Sequence, residues 1–171
     1  PTISRFVSKL EKEGKIRKIA PRLYSANFED SPAAIIRRNL FSVLGKLYPG
    51  AVLSHRSALE FKPTNAGQIF LTYKYTKKIE LPGIMIHFLK GNGPIEGDNP
   101  LSGELYASQR ERVFLENLQV SRRPGPDSKT LTFPEIEDRL EQIIRVNGEQ
   151  ELNKIRDRAR ILAKELNMQT E

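Results

Sequence analysis

The chain has 171 residues, 38% hydrophobic and 29% charged, with a net charge of +7. That length can bury a core in one domain or one and a half, while zero cysteines exclude disulfides, a thiolate nucleophile and a cysteine zinc site. No run approaches the roughly 20 apolar residues of a membrane span and no secretory signal opens the sequence; the expectation is a cytoplasmic protein with anionic partners, nucleic acid before membrane.

Residues 1–25, PTISRFVSKLEKEGKIRKIAPRLYS, carry the strongest signal. Ile3, Phe6, Val7 and Leu10 recur at i, i+3, i+4 and i+7 and mark one apolar stripe on a helix of about three turns. Gly14 ends it, because glycine readily takes the left-handed conformation that closes a helix. Two strands follow, one from Lys15 to Ile19 and one from Arg22 to Ser25, around Ala20-Pro21. A helix presenting small polar and basic residues, followed at once by a basic hairpin, has the order of the recognition helix and wing of a winged helix-turn-helix. In that reading Thr2, Ser4 and Arg5 face bases, while Lys9, Lys15, Arg17, Lys18 and Arg22 face phosphates. Arg5, Lys9, Lys12, Lys15, Arg17, Lys18 and Arg22 stand against Glu11 and Glu13, so this segment holds +5 of the chain's +7. An ordinary amphipathic helix and a solvated hairpin would show the same pattern. A complete winged helix has two helices ahead of its recognition helix, so two more are expected to precede Pro1.

In residues 26–123, Ser31-Pro32 opens a helix, with Ser as N-cap and Pro at the first helical position. Ile35, Ile36, Leu40, Val43, Leu44 and Leu47 keep a helical period to Tyr48, where Pro49-Gly50 ends it; the Arg37-Arg38 pair reads as solvated, with phosphate contact as the alternative. Ala51-Val52-Leu53 is a short strand running into Ser54, a second N-cap, and a helical turn over His55-Arg56-Ser57-Ala58-Leu59. His55 reads as structural, since no second ligand or nucleophile lies at a useful spacing. From Gln68 to Leu89 the period is two, with strands over 68–73, 77–81 and 84–89 that suggest a small antiparallel sheet. The turn Lys74-Tyr75-Thr76-Lys77-Lys78 is a second basic tip with an aromatic inside it. Residues 91–100 form a Gly-, Pro- and Asn-rich loop without a Walker-type phosphate signature; Glu96 and Asp98 read as solubilising acids there, with cation binding as the alternative. A helix from Ser108 turns Val113, Phe114 and Leu118 toward a core.

Arg122-Arg123-Pro124-Gly125-Pro126 reads as a linker into the last segment, 124–171. Thr132 and Pro134 open a helix holding Ile136, Leu140, Ile143 and Ile144, and Asn147-Gly148 breaks it. A final helix carries Leu152, Ile155, Ala159, Leu162 and Leu166 on a narrow stripe. The preceding domain, a partner helix and chain beyond Glu171 are all candidates to cover that stripe. Two histidines, no cysteine and no serine with a base or elbow motif make the chain non-catalytic, without metal ligands or a cofactor.

The helix and hairpin of residues 2–25, the run from Pro49 to Leu59, the strand Ile69-Phe70-Leu71-Thr72 and the helix beginning Ala107-Ser108-Gln109-Arg110-Glu111-Arg112 together resemble the AbiEi family of antitoxin and transcriptional-regulator domains. The whole chain also resembles the region that precedes the Fic domain in a group of bacterial Fic-family proteins. The resemblance implies an α+β fold: a winged helix-turn-helix over 1–25, truncated at its N-terminus, an AbiEi-like domain with a small antiparallel sheet over 26–123, and C-terminal helices over 124–171. It implies DNA as partner, with a Fic domain in cis that would transfer AMP or a related nucleotide group. As an alternative it implies a stand-alone antitoxin that represses its own operon and neutralises a nucleotidyltransferase toxin in trans. The Fic catalytic signature is absent: His87-Phe88-Leu89-Lys90-Gly91-Asn92-Gly93-Pro94 is one residue short between His and Gly and lacks the acid and the Arg. A homodimer reading a palindrome fits the DNA-binding readings, and an interaction scaffold for acidic protein surfaces is the third.

Overall fold

A computed structural model describes residues 2–119 and 121–168; Pro1 of the first expected segment and residues 169–171 of the last lie outside the described residues. The apolar period near the start forms helix α1, Ile3–Lys12. Gly14, at φ +69, closes it: its N–H donates to the Glu11 carbonyl at 3.0 Å and the Lys15 N–H to the Leu10 carbonyl at 2.9 Å, the paired bonds of a Schellman end. Strands β1 (Arg17–Ala20) and β2 (Leu23–Ser25) then pair antiparallel. Ile19 and Ala20 of this hairpin are buried in the main core, whereas α1 has no buried residue.

Ser31 caps the next helix, its Oγ accepting from the Ala34 N–H at 3.2 Å. The single helix expected as far as Tyr48 is two helices, α2 (Pro32–Arg38) and α3 (Leu40–Leu47), broken at Asn39 with φ −114 and ψ 24. The Asn39 side-chain amide donates to the Ile35 carbonyl at 2.9 Å, the kind of local bond that places Asn at helix ends rather than in their interiors.

Strands β3 (Val52–Leu53), β4 (Gln68–Tyr73), β5 (Lys77–Leu81), β6 (Ile84–Lys90), β7 (Asn99–Pro100) and β8 (Tyr106–Ala107) form one sheet in the order β5-β6-β4-β3-β8-β7. The expected antiparallel arrangement of 68–89 is corrected here. β5 and β6 do form an antiparallel hairpin, but β6 runs parallel to β4, and β3 parallel to β8, so the sheet is mixed. Burial explains which strand moved inward. Ile84, Ile86 and Phe88 of β6 are at most 3% exposed, while Lys77, Lys78 and Glu80 of β5 are exposed. A charged strand is suited to the edge and an apolar one to the interior, so β6 folds back between β5 and β4.

Helices α4 (His55–Glu60), α5 (Arg110–Leu118), α6 (Phe133–Asn147) and α7 (Glu149–Glu165) complete the chain. Val113 and Phe114 are buried as expected, but Leu118 is 59% exposed and Leu115 is buried instead. Helix α6 opens at Thr132 as expected, and a capping box closes its first turn, with Glu135 accepting from the Thr132 N–H at 2.7 Å. The α7 stripe is covered by the preceding domain: Leu162 and Ala163 pack with Leu115 of α5, and Ile95 and Ala159 join them. The architecture is mixed α+β, and no described helix is long and apolar enough to cross a membrane.

Candidate functional site

The basic segment divides into an exposed set and an anchored residue. Thr2 sits at the N-cap of α1 without a side-chain capping bond, and Ser4, Arg5 and Lys18 are exposed. Lys9 and Lys15 both reach Glu13, at 3.8 and 2.8 Å. Such exposed pairs hold weakly, about 0–1 kcal/mol each, so both lysines remain available to a polyanion. Arg22, at φ 60 in the hairpin turn, donates to the Leu47 carbonyl near the end of α3 at 3.4 Å.

Arg17 turns the other way. Its Nε donates to the Asn27 carbonyl at 2.9 Å, Nη2 donates to the Asp30 carbonyl, and the guanidinium lies 5.8 Å from the centre of the Phe28 ring. The Asn27 side chain in turn accepts from the Glu29 and Asp30 N–H groups at 2.9 and 3.0 Å. Asp30 receives Arg38 at 2.7 Å, which holds its carboxyl below the ordinary range. Arg17 therefore sets where the hairpin stands against loop 26–30. The second basic tip is likewise partly withdrawn, since Tyr75 packs edge-on against Tyr73 and Phe88.

A buried polar centre lies at the ends of two parallel strands. Because β3 and β8 run in register, they deliver Ser54-His55-Arg56 and Ser108-Gln109 side by side. Glu116 of α5 gathers this end of the sheet: it accepts from the His55 N–H at 2.9 Å, from the Ser108 hydroxyl at 3.0 Å and from Arg112 Nε at 3.0 Å. Burial pushes the Glu116 carboxyl up, against the pull of these donors. Arg112 also donates to Asp98 at 2.6 Å and to the Asn92 carbonyl at 2.8 Å. The Asp98 side chain is fully buried, so it is a structural ion-pair partner rather than a solubilising acid. Among the described residues no group of three or more His, Asp or Glu could hold a metal ion.

No family model matches the chain, and no curated protein or solved structure matches it.

His55 is the least ordinary residue of the polar centre. It has φ 53, a left-handed conformation uncommon for a residue with a Cβ, and its Nδ1 lies 3.0 Å from Ser54 Oγ. Ser54 takes the N-cap position without donating or accepting a capping bond; its hydroxyl serves the imidazole instead. Burial, then the charges of Lys129 and Arg112, lower the His55 pKa to about 3, so the ring is neutral at neutral pH. Sequence reasoning missed Arg56, Arg112 and Glu116. The available signals were the charge inside the apolar run 51–59 and the i, i+4 spacing of Arg112 and Glu116, which places them on one helix face.

Proposed function

We propose that this chain is a DNA-binding regulatory module, a winged-helix element joined to an AbiEi-like α+β domain. It works beside a nucleotide-transferring partner: a Fic domain in cis, or, if it acts as an antitoxin, a nucleotidyltransferase toxin in trans. The observation that carries the reading is the order of exposed groups. Helix α1 and its N-cap present Thr2, Ser4, Arg5 and Lys9, the helix has no buried residue, and it passes directly into a hairpin whose Lys18 and Arg22 are exposed. A helix about 10–12 Å across fits a major groove about 12 Å wide, and a basic tip beside it meets the flanking phosphates. Ile3 and Phe6, 85% and 58% exposed, form the apolar side that companion helices of a winged helix would cover. Arg17, by anchoring the hairpin, positions it without touching phosphate.

Titration of fluorescent duplex DNA at several salt concentrations tests the reading. Lys18→Ala is expected to weaken binding to all sequences and to lower the salt slope by about one. Arg5→Ala is expected to reduce discrimination between sequences, by about 1–3 kcal/mol if it contacts a base bidentately. Binding indifferent to salt and to both substitutions would overturn the proposal, and heparin competing as well as any duplex would favour an interaction scaffold.

A further inference from the structure

Beside the polar centre lies a cavity of about 350 Å³ that the DNA-binding reading does not use. His55, Thr72, Lys90, Arg112, Glu116 and Lys129 are among the residues lining it. Three cations thus face one acid, and that acid is already held by Arg112 at 3.0 Å. No ion pair engages Lys90 or Lys129 among the described residues. One wall is apolar, formed by Leu89, Leu166 and Met168.

His55 is the built part of this cavity. It is 8% exposed, and two polar contacts fix it, the Ser54 hydroxyl at Nδ1 and the Glu116 carboxylate at its backbone N–H. Nε2 has no hydrogen-bond partner among the described residues, yet no described side-chain nitrogen or oxygen is both sealed and unpaired. His55 lines the cavity and its Nδ1 is engaged by Ser54, so Nε2 is the ring nitrogen left to meet a ligand there. In the tautomer in which the Ser54 hydroxyl donates to Nδ1, the neutral ring presents Nε2–H as a donor, and this is the tautomer an anion in the cavity would select. Backbone strain at a buried polar residue beside a cavity is characteristic of ligand sites.

We propose that this cavity binds a phosphate monoester of a small organic molecule, the phosphate taken by His55 Nε2–H, Lys90 and Lys129 and the organic part lying on the Leu89, Leu166 and Met168 wall. Two ammonium groups and an N–H match a dianion with three terminal oxygens better than a carboxylate with a single charge. The volume lies at the lower end of the 300–1,000 Å³ typical of small-molecule sites. This site is independent of DNA binding, since it shares no residue with the α1 and hairpin surface.

Isothermal titration calorimetry of the full chain with AMP, glucose 6-phosphate, inorganic phosphate and acetate tests it. At least one of the two esters is expected to bind, more tightly than inorganic phosphate, with no binding of acetate. Lys129→Gln and His55→Asn are each expected to weaken that ester about tenfold or more, Asn being chosen because it tolerates a left-handed φ. Because either variant could fold poorly, the unmodified chain labelled with ¹⁵N provides a second readout: ester binding is expected to move the His55 Nε2 resonance in a saturable way. Absence of ester binding, affinity unchanged in both variants, or a stationary Nε2 resonance would overturn the site. Inorganic phosphate binding as tightly as the esters would overturn the organic half of the proposal.

Discussion

Arg56 is 1% exposed and surrounded by acceptors. Its Nε donates to the Ser128 carbonyl at 2.9 Å, and Nη2 donates to the Gly125 and Thr130 carbonyls at 3.0 and 3.1 Å. Glu135 takes it through both oxygens, at 2.7 and 2.9 Å, and Glu60 at 3.0 Å. A charge removed from water is tolerated only when paired and hydrogen-bonded, and a planar guanidinium suits a two-point carboxylate contact as an ammonium does not. Since Glu135 also closes the Thr132 capping box, one side chain ties α4, segment 125–130 and the first turn of α6 together. Arg56→Ala is expected to cost about 3 kcal/mol, because carbonyls and a carboxylate lose their donor while remaining in place. Arg56→Lys is expected to recover part of that. Urea denaturation measures both; an unchanged midpoint in Arg56→Ala would show that water replaces the guanidinium without loss.

Helix α3 meets the turn before β8 so closely that a glycine is required for packing rather than for conformation. A Cβ on Gly45 would stand 2.3 Å from the Ser102 carbonyl oxygen and 3.3 Å from Leu105 Cβ. In an isolated helix Gly→Ala is favourable by about 1 kcal/mol. Here the expected sign is reversed: Gly45→Ala should lower stability by about 1–3 kcal/mol, the usual range for overpacking, seen as a lower melting temperature by circular dichroism. A higher one would mean that the 102–105 turn moves aside freely. The same contrast between local and distant causes explains what was legible in the sequence. Gly14, Ser31-Pro32 and Thr132 with Pro134 are signals whose partners lie within a few residues, and each forms the end that was read from it. The direction of β6 depends on which strand takes the edge, a choice recorded only in the contrast between Lys77, Lys78 and Glu80 and Ile84, Ile86 and Phe88. Strands β7 and β8 have two residues each, too few to show a period. The cations of the candidate interface were legible as charge. That Arg17 turns inward was not, because its acceptors are backbone carbonyls, and those leave no mark in the amino-acid sequence. The His55–Glu116 contact spans 61 residues and is equally silent.

Across the whole molecule, the main core runs from the hairpin through α2, α3 and the sheet, and a smaller one joins α5 to α7. The polar centre of His55, Arg112 and Glu116 lies where α4 and the strand ends meet α5, so acid should be felt there. The folded His55 pKa is about 3, against 6.5 for a free imidazole. Between those values the unfolded chain binds a proton that the folded chain refuses, so stability falls as pH drops from about 6.5 toward 3, by up to about 1.4 kcal/mol per pH unit. Glu135 acts in the same direction at lower pH. Its hydrogen bond from Arg56 lowers it to about 2, so its contribution is present above the free value of 4.5 and is lost as pH falls through 2. Glu116 opposes them: its raised pKa means that the folded chain takes up that proton first, so its effect on stability grows less favourable as pH rises through the folded value. Comparing the unmodified chain with His55→Asn separates the imidazole from both carboxyls, which titrate in either protein. Stabilities from urea titrations at pH 7, 6 and 5 are expected to fall more steeply for the unmodified chain, the two curves diverging by the slope of about one proton. Parallel curves would mean that burial and the charges of Lys129 and Arg112 do not keep the ring neutral, and that water or an anion already shares the cavity with it.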